Sequence, residues 1–193
     1  MGKIFMVRHD KAAAGWDGDA DPGLDAKGHA QASQVADKLA TQIASPVPVY
    51  TSPLLRCRET AGPLAVLWQT TPIIEPRVAE IPSPIEDLTA RTVWLRRVMS
   101  GSWDALAADP ESVGHDYDDW RVEVIAALTG LAYDTDVVVF SHFIALNAAY
   151  SAATGAEDVV AFRPDNCSVS VFETDGSSLR LLQQGHEAET QVN

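Results

Sequence analysis

Arg8 and His9 close the apolar run Lys3 to Val7. Ser52 and Arg56 follow a second short run, Val47 to Tyr50, and His142 follows a third, Val137 to Ser141. Two arginines and two histidines therefore stand just beyond the ends of strand-like segments. In an open α/β sheet, ligands bind beyond the carboxyl ends of the strands, so these four side chains are expected in one cleft. A guanidinium offers a fork of donors that matches phosphoryl oxygens. A helix starting near Ser52-Pro53 would add backbone N–H groups and a positive dipole end. A neutral imidazole in that field can accept a phosphoryl group. The chemistry these residues suggest is a phosphate pocket with a nucleophilic histidine.

The elements that must position them alternate between strand and helix. Lys3–Val7 reads as a first buried strand. A polar, Gly-rich stretch then runs to the turn Asp21-Pro22-Gly23, after which Asp25 caps a helix with the apolar face Ala32, Val35, Ala36, Leu39 and Ile43. Pro48 puts the strand Val47–Tyr50 at an end or an edge. Ser52 and Pro53 read as N-cap and first-turn proline of the next helix. Pro72–Ile74 reads as a third strand. Between Pro82 and Gly114 two short helices are expected, around Leu88–Met99 and Ser102–Ala108, as an excursion covering the site. Tyr117, Trp120, Val124, Ala127, Leu128 and Leu131 recur at helical spacing, predicting a long helix over Asp116–Ala132. Asp136–Ser141 is the clearest buried strand, followed by an Ala-rich helix to Gly155. Ser168–Gln183 alternates around Asp175-Gly176 like a hairpin. The expected fold class is α/β, a three-layer sandwich with a mostly parallel central sheet, forming one domain over residues 1–193.

Composition narrows the partners. With 27 acidic and 14 basic residues the net charge is −13, which leaves no excess of Lys and Arg to displace counterions from nucleic acid or to meet an anionic membrane. The apolar runs are too short to span a bilayer, and the N-terminus meets charge at Arg8, unlike a secretory signal. Two cysteines, Cys57 and Cys167, form no disulfide framework. The expected compartment is the cytoplasm, and oligomeric state is not readable.

Four blocks carry a family resemblance. Ile4-Phe5-Met6-Val7-Arg8-His9 resembles the strand and Arg-His core of the histidine phosphatase superfamily, the phosphoglycerate-mutase-like proteins. Leu24–Ala32 resembles its L-[ST]-x-x-G-x-x-Q-A stretch, and Tyr50–Ala61 its S-x-L-x-R-A-x-x-T-A helix. Val137–His142 resembles the strand before its second histidine. The blocks follow family order and span most of the chain. The resemblance implies that His9 attacks phosphorus and becomes phosphohistidine. It implies that Arg8, Arg56 and His142 bind the phosphoryl oxygens and stabilise charge in the transition state. A glutamate after the third strand region serves as proton donor, and Glu80 in Val78-Ala79-Glu80-Ile81 matches it; Glu75 and Glu86 are the local competitors. No cofactor and no metal is called for.

Three departures stand out. Asp10 and Phe143 replace the glycines that usually follow each histidine, and no asparagine matches among Ala12 to Asp17. Asp10 beside the nucleophile would repel substrate and raise the pKa of His9, or else point away and cap a turn. Phe143 would narrow or grease the pocket. They motivate a rival reading, a phospho-ligand or protein-interaction module without turnover; a mutase is the other alternative.

Plainer roles compete for the remaining residues. Arg56 has Glu59 and Glu75 as possible surface partners, and Arg58 suits solvent. His29, His115 and His186 read as surface or capping residues. Asp17, Asp19 and Asp21 start like a calcium loop, but Pro22 and Gly28 occupy the positions of its glycine and bidentate glutamate. Cys57 beside two arginines is either a low-pKa thiol or a buried inert one. Trp94, Trp103 and Trp120 suit a core. Residues 11–23 and 82–114 should roof the site, and Trp16, Ile85, Leu88 and Trp94 there suggest a small phosphomonoester with a partly apolar organic group.

Overall fold

Alternate residues of the two central strands bury into opposite cores, which is why both strands read as unbroken apolar runs. A computed structural model describes residues 1–13, 20–112 and 114–188. Its sheet contains β1 (Gly2–Arg8), β2 (Val49–Thr51), β3 (Ile73–Ile74), β4 (Val137–Ser141), β5 (Val169–Thr174) and β6 (Leu179–Gln183), in the order β3-β2-β4-β1-β5-β6. Strands β3, β2, β4 and β1 are parallel, whereas β5 and β6 add an antiparallel hairpin at the β1 edge. The expected three-layer α/β sandwich is present.

Phe5, Val7, Val138 and Phe140 pack with Val35 and Leu39 of α1 (Ala26–Gln42) and Cys57 and Leu64 of α2 (Leu55–Trp68). Ile4, Met6, Val137 and Val139 face the other way. They meet α3 (Leu88–Val98), α4 (Trp103–Ala107), α5 (Tyr117–Leu131) and α6 (Phe143–Thr154). Period-2 burial on both faces holds β1 and β4 in a single register, because a one-residue slip would exchange the two cores.

That register is what aligns the site. Arg8 lies opposite Ser141, and Thr51 opposite Phe140, so β1, β4 and β2 end level with one another. Asp25 caps α1 by accepting from the Gly28 N–H at 2.7 Å. Gly28 is required by close approach: a Cβ there would stand 2.4 Å from the Lys11 carbonyl oxygen. α5 falls where periodicity predicts it, α3 and α4 lie within the two short helices expected between Pro82 and Gly114, and Gly155 ends α6 in the left-handed conformation that favours glycine.

Of the two places expected for Pro48, the strand end is observed and the sheet edge is not: Pro48 immediately precedes β2, which is interior, between β3 and β4; the Pro48 carbonyl accepts from Val138 at 3.0 Å, and its missing N–H falls outside the ladder. One helix start is corrected. α2 begins at Leu55, not after Ser52. The Ser52 N–H donates to the Phe140 carbonyl and extends the sheet by one residue, and the Ser52 hydroxyl reaches only the N–H of Leu54, the residue before the helix, at 3.3 Å. Instead the carboxylate of Asp21, 34 positions away in sequence, accepts from the Leu55 N–H at 2.8 Å.

Candidate active site

Four side chains meet where β1, β4 and β2 end. His9 is held by its backbone, whose N–H donates to the Ser141 carbonyl at 2.9 Å. Its Nδ1 lies 2.7 Å from the Asp10 carbonyl oxygen, and its Nε2 lies 3.2 Å from Arg56 Nε. A guanidinium has donors only. Nε2 therefore presents a lone pair, and the ring proton sits on Nδ1, donating to the Asp10 carbonyl. Burial, followed by the Arg8 and Arg56 charges, holds the His9 pKa well below the ordinary imidazole range. A neutral ring with Nε2 unprotonated is the form that can attack an electrophile.

Arg56 joins the two histidines, since its Nη2 lies 3.2 Å from His142 Nδ1. The ring centroids of His9 and His142 are 5.1 Å apart, edge to face. His142 is fully buried at the N-cap position of α6 without capping it, so its imidazole remains in the cleft. Burial, His9, Arg56 and Arg8, in that order, lower its pKa. Its Nε2 lies 2.7 Å from Ser52 Oγ.

Helical spacing makes α2 a bracket for this group. Arg56 reaches both histidines, Cys57 lies beneath His142, and Thr60 one turn on accepts from the Asp10 N–H at 3.1 Å and donates to the Arg56 carbonyl. Arg58, on another side of the helix, is exposed as expected. Glu59 accepts from Leu24 N–H and Glu75 pairs with Arg77, so neither engages Arg56. Its carboxylate neighbour is Asp21, at 3.7 Å.

Arg8 is buried and donates from Nη1 to the Pro164 carbonyl at 2.9 Å. Its guanidinium carbon sits 5.1 Å from the centre of the Phe143 ring. Phe143 therefore flanks Arg8 and packs into the core, a cation–π contact rather than the pocket narrowing expected of it.

Glu80 follows the 3-10 turn Pro76–Val78. Its Oε1 accepts from Ile81 N–H at 3.0 Å and from Ile144 N–H at 3.1 Å. Ile144 belongs to the first turn of α6, so the helix that starts at the second histidine also holds this carboxylate. Burial raises the Glu80 pKa, opposed by the two N–H donors, Arg56 and Arg8, and the net shift is upward. The Ser141 hydroxyl donates to the Val78 carbonyl at 2.7 Å and ties this loop to β4. Glu75 caps the 3-10 turn and Glu86 is exposed, so Glu80 alone of the three enters the cleft.

Asp10 does the opposite of what adjacency suggests. Its carboxyl is buried and turned to Cys167, whose thiol donates to it. Only its backbone carbonyl touches His9, and no carboxylate raises the imidazole; the expected upward shift of His9 is reversed. Burial lifts Asp10 itself to about 6. Cys57 is buried and burial raises its thiol pKa, so the inert reading applies.

Other expectations resolve simply. Trp94 is 1% exposed, deep in the core beside Tyr117, and forms no roof surface. Trp103 is likewise buried. Trp16, Asp17 and Asp19 lie outside the described residues. Among the described residues no group of acidic, His and Cys side chains could hold a metal ion, and no helix is long and apolar enough to cross a membrane. The sequence reading missed Ser52 as a partner of His142, Asp21 as the α2 cap and Thr60 as the support of Asp10. The Ser-Pro dipeptide and the helical i, i+4 spacing of Arg56 and Thr60 were the available signals.

A parallel-sheet rim carrying two histidines and two arginines defines a class of phosphoryl-handling α/β proteins. Residues 4–186 match the family model of the histidine phosphatase superfamily (branch 1), and the chain belongs to that superfamily. No curated protein sequence matches it. Among solved structures it is similar to a phosphoserine phosphatase from Entamoeba histolytica, solved with 3-phosphoglyceric acid. The identity is 20% and the TM-score 0.76, over 96% of this chain and 98% of that one. It is also similar to a mycobacterial glucosyl-3-phosphoglycerate phosphatase, with 19% identity and TM-score 0.69, over 97% and 100%. A third similar structure is Bacillus stearothermophilus YhfR, with 18% identity and TM-score 0.74, over 97% and 98%.

Proposed function

We propose that the chain is a metal-independent phosphatase that hydrolyses a small phosphomonoester through a phosphohistidine at His9. The observation that carries this reading is the Arg56 contact that leaves a lone pair on His9 Nε2 while binding His142 on its other side. His9 Nε2 attacks phosphorus and the P–O ester bond breaks. Glu80, in its protonated form, gives its proton to the leaving oxygen. A water then loses a proton to Glu80 and attacks phosphorus, and the P–N bond breaks back to the Nε2 lone pair. Arg8, Arg56 and His142 bind the phosphoryl oxygens and stabilise the charge spread over them in the transition state.

The phosphate-bearing end of the substrate is small in this reading, because two arginines form a local positive spot on a chain of net charge −13. Such a body steers a long polyanion poorly. Nucleic acid and membrane surfaces are not partners in this reading. Asp10 and Phe143, the two departures that would suit a binder without turnover, both turn aside from His9, which favours the enzyme. Purified wild type should hydrolyse an aryl phosphate, and His9→Ala should lose about 10³-fold or more of that rate. Equal rates in the two proteins would end the proposal.

A further inference from the structure

The hydroxyl of Ser52 touches the second histidine at the nitrogen facing away from Arg56. Since a guanidinium only donates, His142 Nδ1 must present a lone pair to Arg56 Nη2 at 3.2 Å. The ring proton of neutral His142 is then on Nε2, and it donates to Ser52 Oγ at 2.7 Å. A phosphoryl oxygen carries only lone pairs. For His142 to bind one through Nδ1, that nitrogen must change from acceptor to donor. Of the groups around Nε2, the Cys57 thiol at 3.3 Å donates to the Ser141 carbonyl. Ser52 Oγ is nearer, and a hydroxyl both accepts and donates by rotating.

The geometry points to Ser52 as a positioning residue that lets His142 exchange an acceptor for a donor at Nδ1 when a phosphoryl group arrives. The exchange conserves protons: Nδ1 gains one from water, Nε2 releases one to water, and the ring stays neutral. The Ser52 hydroxyl then turns and donates to the Nε2 lone pair, so the ring keeps its orientation in both states. Burial and the flanking arginines, which disfavour an imidazolium, make this exchange the accessible route to a donor. The same oxygen also lies 3.3 Å from Leu54 N–H, so a purely structural role at the entry to α2 is the alternative to defeat.

This inference rests on the phosphatase reading for its kinetic arm alone. With an aryl phosphate as probe, Ser52→Ala should lower kcat by about 10- to 50-fold with KM within about threefold, and Ser52→Thr should restore most of the loss. In a His142→Ala background, adding Ser52→Ala should change kcat by less than about twofold, because the residue acts through the ring. A full-sized loss in that background would show a structural role and overturn the inference. The second arm reads nitrogen-15 shifts of the His142 ring, with and without orthovanadate. The resting state should show a proton on Nε2 in both wild type and Ser52→Ala, because Arg56 holds Nδ1 as an acceptor in each. The vanadate complex should show a proton on Nδ1 in wild type and a mixed pattern in Ser52→Ala. Vanadate complexes with the same single pattern in the two proteins would also overturn it. If wild type turns over no phosphate ester, the phosphatase reading fails while the vanadate spectra still decide the role of Ser52.

Discussion

Two carboxyls flank the first histidine, Asp10 behind it and Glu80 in front, and they share one physical property but not a role. Burial raises the pKa of both. Asp10 is the next residue in the chain, yet its side chain leaves toward Cys167, whose thiol donates to it, while its own N–H donates to Thr60 of α2. Glu80 is far away in sequence, yet it arrives in the cleft because a loop tied to β4 and the N-terminus of α6 hold it there. Adjacency along the chain is therefore a poor guide to which carboxyl meets the substrate. Helix starts and strand ends decide it.

Substitutions at the front should have the largest effects. With Glu80 as the proposed proton donor, Glu80→Gln should lower kcat on an alkyl phosphate by about 10² to 10⁴-fold. An aryl phosphate, whose leaving group departs without a proton, should lose far less. Equal losses on the two esters would remove Glu80 as the acid. The pH profile carries the same signature. The acid form of Glu80 persists above the ordinary carboxylate range, so the alkyl phosphate rate should fall as pH rises through the raised pKa. His9, shifted downward, should stay neutral at mildly acidic pH and impose no loss there.

Changes at the back should appear in stability instead. Asp10 binds its proton more tightly folded, at about 6, than at its ordinary 3.8. Its contribution is thus fully present below about pH 3.8 and is lost as pH rises through about 6. Relative to Asp10→Asn, wild type should lose about 2 kcal/mol of unfolding free energy between pH 4 and pH 7 in denaturant titrations. Parallel pH curves for the two proteins would refute a buried Asp10 carboxyl whose pKa is raised by folding. The kcat of Asp10→Asn should stay within about threefold of wild type, because only the Asp10 backbone meets His9. A loss as large as that of Glu80→Gln would collapse the distinction between the two carboxyls. The smallest effect is expected for Cys167→Ser, which keeps a donor to Asp10. It should change the aryl phosphate rate by less than about twofold in a steady-state assay.

Much of the frame was legible in the sequence. The unbroken apolar runs at β1 and β4 and the 3.6-residue spacing of α1 and α5 each reflect burial of one element's own side chains, which local pattern records. The meeting of Arg8, His9, Arg56 and His142 was legible too, because in a parallel sheet strand ends share a rim. The helix start at Ser52-Pro53 misled, because Ser52 still belongs to the sheet, its N–H bonded to the Phe140 carbonyl, and α2 begins only at Leu55. Asp21 replaced the local cap from a distant turn that no local rule connects to Leu55.

The sequence alone determined the kinds of groups at the rim, the order of strands and helices, and the family they compose, since residue type and periodicity are local properties. Only the tertiary structure decided which nitrogen of each histidine carries its proton and which carboxyl faces the cleft. It also decided that Phe143 supports Arg8 rather than filling the pocket. Those outcomes depend on donors and acceptors brought together across the register of β1 and β4 and the helix start at Phe143, at distances that no window of sequence contains.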